Sequence, residues 1–175
     1  MKISTVWAAL SLIGGAPTAA AAADASADCT RTVLAYADAW DHHDAAGFSA
    51  LFTDDAVLDL GTGPARGRAA IADLFAKRNP AATTRHLMSN IVVTPQTARS
   101  AQGRSYLMLF AGAPNAVDGR PLEVDGFALV GEYQDRFSTT PLGCRIVERK
   151  LVTVFRRTRP ATGPTPAAAV APPRP

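Results

Sequence analysis

The sequence contains no apolar run long enough to cross a membrane. Its most apolar segment, the first 23 residues, is interrupted by Ser4, Ser11, Gly14, Gly15 and Pro17, whereas a span needs roughly 18 consecutive apolar residues. Charged residues make up only 19% of the 175 residues and hydrophobic residues 47%, which is enough apolar material for a packed core. A multi-pass membrane protein and a disordered chain are therefore excluded, and the length fits one domain.

Cysteine and histidine are scarce. The two cysteines, Cys29 and Cys144, and the three histidines show neither Cys-x-x-Cys nor Cys–His metal spacing. Residues 41–44 (DHHD) bring four metal-capable side chains together, but consecutive residues on a turn point in diverging directions. We therefore expect an exposed turn and no metal site. The two cysteines either form a disulfide or remain separate buried thiols, and the sequence leaves this open.

The excess of positive charge is confined to the end of the chain. Acidic residues outnumber basic ones between Asp24 and Glu148, and the net charge of +3 comes from the arginines and lysine that follow. Without a dense basic face or an RNA-binding aromatic motif, nucleic-acid binding is not expected. Residues 158–175 are rich in proline and alanine and cannot bury enough apolar surface to offset the entropy of ordering. We predict a disordered tail there.

The N-terminus has the pattern of a signal peptide. Lys2 precedes an apolar stretch, and an alanine run ends at Ala23 before Asp24. Cleavage after about Ala23 would assign residues 1–23 to the signal peptide. We therefore expect an exported protein, periplasmic or secreted, with no stable membrane anchor after cleavage.

The first half of the chain shows helical spacing. Apolar residues recur three and four apart from Cys29 to Trp40 and from Arg68 to Lys77. Asp44 is placed to cap a short helix between them, which is followed by a strand from Ala56 to Leu60 and a loop from Gly61 to Gly67.

The second half is predicted to form long strands. They cover Thr84–Val93, Arg99–Ala111, Val124–Ser138 and Arg145–Arg157. Helices followed by an antiparallel meander indicate an α+β fold, with N-terminal helices packed into a strongly curved, mainly antiparallel sheet.

Six segments in order resemble the SnoaL-like branch of the nuclear transport factor 2-like superfamily. They are YADAWDHHD (36–44), FTDDAV (52–57), GRAAI (67–71), TRHLMSN (84–90), GEYQDR (131–136) and GCRIVER (143–149). The resemblance spans residues 28–157. It implies a cone-shaped α+β barrel with a deep pocket open at one end, but it does not decide function, because the superfamily includes both enzymes and non-catalytic proteins.

Two residues are candidates for acid–base chemistry. Asp41 falls on the edge of the apolar stripe of the first helix, and strand alternation puts His86 on the same face as Met88 and Asn90. Asp41 and His86 are expected to face one cavity, where Asp41 takes a proton and His86 gives or shuttles one. The resemblance strengthens this pairing, because scytalone dehydratase-like members use an aspartate and a histidine at these places.

The sequence also departs from the dehydratase pattern. A second core histidine is missing, and Leu60 and Leu109 stand where polar pocket groups would be expected. The expected lining is Trp40, Leu60, Met88, Asn90, Tyr106, Phe127 and Tyr133, which suits a small apolar or aromatic molecule. Two functions stay open: a cofactor-free lyase or isomerase, and a non-catalytic binding or accessory protein.

The remaining polar residues are interpreted as structural. Asp135 and Arg136 are interpreted as charge at the sheet edge or rim, and no nucleotide or metal motif is present. Because the strands carry apolar residues on both faces, we also expect a homodimer formed through the outer face of the sheet.

Overall fold

The computed structural model describes residues 18–112, 121–122, 124, 126–140 and 143–158. Within these ranges, three helices precede or interrupt the sheet: α1 (Ala19–Asp41), α2 (Ala45–Ala50) and α3 (Arg68–Ala76). The strands are β1 (Phe52–Asp59), β2 (Pro64–Arg66), β3 (Thr83–Thr97), β4 (Ser100–Gly112), β5 (Leu129–Thr140) and β6 (Gly143–Arg156). The predicted signal peptide lies outside the described residues up to position 17, and the predicted tail does so from position 159.

The local predictions hold with shifted boundaries. The first helix begins at Ala19 rather than near Cys29, because the alanine-rich segment continues the helix as far as an N-cap at Thr18. The Asp44 side chain accepts a hydrogen bond from the Gly47 amide, as its capping role requires. A short strand, β2, lies within the predicted loop 61–67 because residues 64–66 pair with β1.

The six strands form one curved, open sheet in the order β2-β1-β6-β5-β4-β3. All neighbouring strands are antiparallel except β1 and β6, which are parallel. Register shifts interrupt the pairing of β3 with β4 between Ser89 and Val92, and the pairing of β5 with β6 opposite Val130–Gly131 and Arg136–Phe137, where β6 carries the extra residue. Such bulges bend a strand, and they help this sheet to curve around the helices. The predicted mainly antiparallel α+β fold is confirmed.

The core fills the concave face of the sheet. Helix α1 packs against β3 and β6, and α3 packs against β1. An aromatic cluster joins the layers, with the Phe48 ring 4.5 Å from Phe75, 5.2 Å from Phe52 and 5.1 Å from Tyr36 between ring centroids. This packing holds the end of α1 over the sheet, which places the site described next.

A disulfide fastens α1 to the start of β6. Cys29 and Cys144 are bonded, with their Cα atoms 5.0 Å apart, and both side chains are buried. Thr32 lies about one helical turn after Cys29, and its hydroxyl donates a hydrogen bond to the Cys144 carbonyl. The pairing that the sequence left open is therefore present, and it closes a loop of 115 residues.

Candidate active site

Asp41 and His86 form a hydrogen-bonded pair inside the fold. Asp41 is the last residue of α1, and His86 lies near the start of β3. The His86 Nδ1 atom lies 2.6 Å from the Asp41 Oδ1 atom. The side chain of His86 is only 4% exposed and that of Asp41 only 7%. The structure thus brings together the two residues that the sequence singled out for proton transfer.

Strand alternation explains why Asp41 has further partners. Thr84 and His86 lie two apart and face the same side of β3. The Thr84 hydroxyl donates to Asp41 Oδ1 at 2.7 Å, and the His86 backbone N–H donates to Asp41 Oδ2 at 2.8 Å. Together with the imidazole, Asp41 therefore accepts three hydrogen bonds. An aspartate held in this way orients its histidine partner rather than moving freely toward a substrate.

The environment favours the neutral form of His86. Burial lowers the pKa of His86 below its ordinary value, and the hydrogen bond and charge of Asp41 oppose this shift without reversing it. In the neutral ring, Nδ1–H donates to Asp41, which leaves the lone pair on Nε2. Among the residues that the structure describes, none is hydrogen-bonded to Nε2. His86 is therefore a base whose free nitrogen can accept a proton.

Apolar side chains surround the pair. The Trp40 ring lies 6.0 Å from the His86 ring, and Leu109 is the cross-strand partner of His86 on β4. Met88 follows on the same face of β3 and is partly buried, as is Leu60 at the end of β1. We call a set of apolar side chains that are partly buried against the core the mouth: Trp40, Met88 and Leu109 beside the pair, and Leu60 at the end of β1.

A second polar centre lies deeper. Arg149 on β6 and Asp135 on β5 form a bidentate ion pair, with two N···O distances of 2.8 Å and both side chains 0% exposed. The Arg149 guanidinium carbon lies 4.1 Å from the Tyr36 ring centroid and 4.4 Å from that of Tyr133. This buried centre (Tyr36, Tyr133, Asp135, Arg149) places a cation between two aromatic rings.

Some polar groups at or near the buried centre lack a hydrogen-bond partner among the described residues. Within the described part of the chain, Arg149 Nη1 and the Ser105 hydroxyl are buried without a hydrogen-bond partner. Burial, reinforced by Tyr133, raises the pKa of Tyr36 well above its ordinary value, so that its hydroxyl stays protonated. Burial alone would lower the pKa of Arg149, but the charge and hydrogen bonds of Asp135 outweigh this effect, so the pKa lies above its ordinary value. Unpaired buried donors of this kind call for a water molecule or a ligand atom.

Sequence reasoning missed most of this centre. Tyr133 was expected at the pocket, but Asp135 was interpreted as rim charge together with Arg136. That interpretation is wrong for Asp135, which is 3% exposed, whereas Arg136 is exposed and pairs with Glu148. The signal was strand alternation, because Asp135 lies two residues from Tyr133 and so faces inward. Helical spacing could have identified Tyr36, because it lies one turn before Trp40 on the same face of α1.

Three expected lining residues lie elsewhere. Tyr106 is 41% exposed because its neighbours in β4, Ser105 and Leu107, take the inward positions. Asn90 is exposed because it lies in the bulge of β3 with a φ of +48°, which breaks the alternation that would have turned it inward. Phe127 is 36% exposed in the segment before β5. These residues do not join Asp41 and His86.

The deep pocket implied by the resemblance is largely filled. The buried centre and Phe48 and Phe52 occupy the concave interior with fully or almost fully buried side chains. Two grooves on the sheet surface are lined by residues such as Gln102, Gln134 and Lys150, and neither includes Asp41 or His86. Neither groove therefore gives access to the Asp41–His86 pair.

Two further properties bear on the class of site. Across the described residues, no cluster of three or more His, Cys, Asp or Glu side chains is arranged to hold a metal ion. In the same part of the chain, none of the helices combines the length and apolar character that a membrane crossing requires.

The family follows from comparison with known proteins. The model of the SnoaL-like domain matches residues 21–150, which is most of the chain. The chain belongs to the SnoaL-like domain family. No curated protein is significantly similar to this SnoaL-like chain in sequence.

Solved structures share the fold of this SnoaL-like protein. Rv3472 from Mycobacterium tuberculosis, of unknown function, is 22% identical with a TM-score of 0.61, and the match covers 73% of this chain and 74% of that one. A Novosphingobium aromaticivorans protein, provisionally assigned as a scytalone dehydratase, is 22% identical with a TM-score of 0.61 over 81% and 93% of the two chains. An NTF2-like protein with a cystatin-like fold from the same genus is 24% identical with a TM-score of 0.61 over 75% and 83%. At these identities the likeness shows the fold alone.

Proposed function

We propose that this SnoaL-like protein is a cofactor-free lyase or isomerase in which His86 transfers a proton on a small apolar or aromatic molecule. The observation that carries the proposal is the 2.6 Å contact between His86 Nδ1 and Asp41 Oδ1, which leaves Nε2 free. Because Asp41 already accepts three hydrogen bonds, it orients the ring, and His86 rather than Asp41 acts as the base. The sequence-based expectation was different, with Asp41 taking the proton and His86 giving or shuttling one.

The chemistry needs no added reactant. In a dehydration, Nε2 of His86 accepts a proton from a carbon next to a carbonyl, and the electron pair of the C–H bond forms a C=C bond. The C–O bond of the neighbouring hydroxyl then breaks, and the hydroxyl takes the proton from His86 and leaves as water. In an isomerisation the proton returns to a different carbon.

The test compares His86 with a matched histidine. A panel of β-hydroxy ketones is screened for dehydration and for exchange of the α-proton in D2O, followed by NMR. With a substrate found, His86→Gln should lower turnover by roughly 10²- to 10⁴-fold. His42→Gln is the control, because His42 is exposed, and it should leave turnover within about twofold. A folded His86→Gln variant with unchanged turnover would refute the assignment.

A second candidate is a non-catalytic binding protein. The observation that favours it is the filled interior, in which Tyr36, Tyr133 and Arg149 are buried by the protein itself. The apolar mouth could then hold a ligand without reaction. Mass spectrometry of gently purified protein should find a copurified small molecule, with no proton exchange on any member of the ketone panel.

Export remains part of the proposal. Cleavage after Ala23 would remove the first turn of α1, where the side chains are exposed or only partly buried, and leave Asp24 at the new helix start, a favourable place for an acidic side chain. Intact mass of protein from its native host checks this. A chain that retains Met1 would contradict it.

We also propose a homodimer through the outer face of the sheet. Leu87 and Met108 are cross-strand partners there, and with Val152, Val154 and Phe155 they expose apolar surface. A second copy of the chain would cover this surface in a symmetric interface. Light scattering at tens of micromolar should give the dimer mass for the native chain and the monomer mass for Met108→Glu. A monomeric native chain would contradict the proposal.

A further inference from the structure

Arg78 lies beside the mouth in a position that its packing restricts. It follows α3, and its guanidinium carbon lies 4.2 Å from the Trp40 ring centroid and 4.6 Å from that of Phe75. A flat guanidinium held against two aromatic rings loses much of its rotational freedom. The packing of Trp40 and Phe75 therefore restricts the orientation of the Arg78 guanidinium.

In the part of the chain that the structure describes, the positive charge of Arg78 is not paired with a carboxylate. Over the described residues, no acidic side chain lies within ion-pair distance of it, and its Nη1 atom is buried without a hydrogen bond. Asp41 attracts Arg78 electrostatically, but its oxygens already accept bonds from Thr84 and His86. A donor on a charged group is costly to leave unpaired, and Arg78 as a whole is partly exposed, so its guanidinium is suited to an acceptor that comes from outside.

Arg78 and His86 share one neighbour. The Trp40 ring contacts the guanidinium of Arg78 and also lies 6.0 Å from the His86 ring. The charge of Arg78 is felt at the imidazole, where it opposes protonation. A molecule that rests on the apolar mouth beside Trp40 can therefore meet a fixed cation and a neutral base together.

We propose that Arg78 binds a carboxylate of the ligand, so that the molecules taken up at the mouth are apolar or aromatic carboxylic acids. The proposal rests on the small-molecule site of the proposed function and gives its substrate class. The apolar part of the ligand contacts Trp40 and Met88, its carboxylate accepts hydrogen bonds from the Arg78 guanidinium, and its reactive carbon faces His86 Nε2. The formal charge of Arg78 is then neutralised on binding.

The test measures how strongly the site prefers a carboxylate to a neutral group of the same shape. Binding of 2-naphthoate and of 2-naphthamide is followed by isothermal titration calorimetry on the full chain. The native protein should bind naphthoate at least about tenfold more tightly, as expected for a charge-assisted hydrogen bond. Arg78→Gln should weaken naphthoate binding by about the same factor and leave naphthamide within about twofold. Arg78→Lys should retain part of the preference.

Control variants separate this proposal from the proposed function. Arg66→Gln removes an exposed arginine of β2 and should change neither affinity. His86→Gln should abolish proton exchange yet preserve the preference for naphthoate. Equal binding of the two ligands by the native protein, or equal loss of both in Arg78→Gln, would overturn the carboxylate site while leaving the pocket intact. Failure of both ligands to bind would overturn the carboxylate site together with the small-molecule site.

Discussion

Two buried pairs in the described part of the chain join an aspartate to a nitrogen-containing side chain, and they differ in their chemistry. Asp41 and His86 meet near the mouth, where the base is an imidazole that can gain or lose a proton. Asp135 and Arg149 meet deeper, where the guanidinium is always charged and both side chains are 0% exposed. The first pair leaves one ring nitrogen free, whereas the second is closed by two parallel hydrogen bonds.

The two pairs differ in their exposure and in their ability to change charge. The burial of His86 is sufficient to lower its pKa but leaves it next to partly exposed residues. Arg149 is stabilised by Asp135 and by two aromatic rings, so that no change of pH in the ordinary range alters its charge. The deep pair is therefore expected to affect stability most, and the pair at the mouth is expected to affect activity most.

Breaking the deep pair should have the largest effect on stability. Arg149→Met leaves the Asp135 carboxylate buried and unpaired, so the free energy of unfolding should fall by about 3–5 kcal/mol in urea titrations. The double variant Asp135→Leu with Arg149→Met removes both charges and should be more stable than Arg149→Met alone. If the single substitution costs less than about 1 kcal/mol, the deep pair does not have the role assigned to it.

Removal of the disulfide should have the second-largest effect on stability. It should act mainly on the region around Asp135 and Arg149. Cys29→Ser with Cys144→Ser frees a loop of 115 residues, and the free energy of unfolding should fall by about 2–5 kcal/mol. Cys144 starts the strand that carries Arg149, so hydrogen exchange should quicken in early β6 more than at His86. Equal quickening at both places would show that the two regions are not distinct.

Acid should destabilise the protein through the pair at the mouth. Since the pKa of His86 is lowered by burial, the unfolded chain binds the proton more readily than the folded one. The stabilising contribution is complete above an unfolded pKa of about 6.5 and is lost as the pH falls through the folded pKa. The free energy of unfolding should therefore decrease steadily as the solution is acidified through this range.

Urea titrations between about pH 7.5 and about pH 5 check this expectation. His86→Gln should flatten the dependence. Turnover should fall over the same acid range, because a protonated imidazole no longer accepts a proton. A native chain whose stability is unchanged across this range would argue against a neutral, buried His86.

The smallest effect is expected from the support of Asp41. Thr84→Val removes the hydroxyl that donates to Asp41 Oδ1, and the expected loss is about 1 kcal/mol of unfolding free energy. Turnover should fall several-fold because the aspartate holds His86 less firmly, and Thr84→Ser should restore it. Full turnover in a folded Thr84→Val variant would mean that this hydrogen bond does not help to position the pair.

Secondary structure was predictable wherever a local pattern determined it. Helical spacing in α1 and α3, the cap at Asp44 and the β-branched strands all follow from interactions between residues close in sequence. The bulge at Asn90 was not predictable, because its positive φ satisfies the curvature of the sheet rather than a preference of the segment. This one extra residue moved Asn90 away from the face shared by His86 and Met88.

The site was predictable in part for the same reason. Asp41 lay on the helix stripe and His86 on an inward strand face, so each direction could be derived locally, and their contact follows from the packing of α1 on β3. Arg78 carried no local signal. Its importance comes from Trp40 and Phe75, which reach it from two different helices.

The sequence by itself determined the α+β class, the order of its elements and the two residues most suited to proton transfer, because periodicity and side-chain chemistry are local properties. The tertiary structure decided which polar groups are buried together, that Cys29 and Cys144 bond, and that Asp41 has its oxygens already occupied. Those outcomes depend on distances between residues far apart in the chain, and such distances arise only when the helices close over the curved sheet.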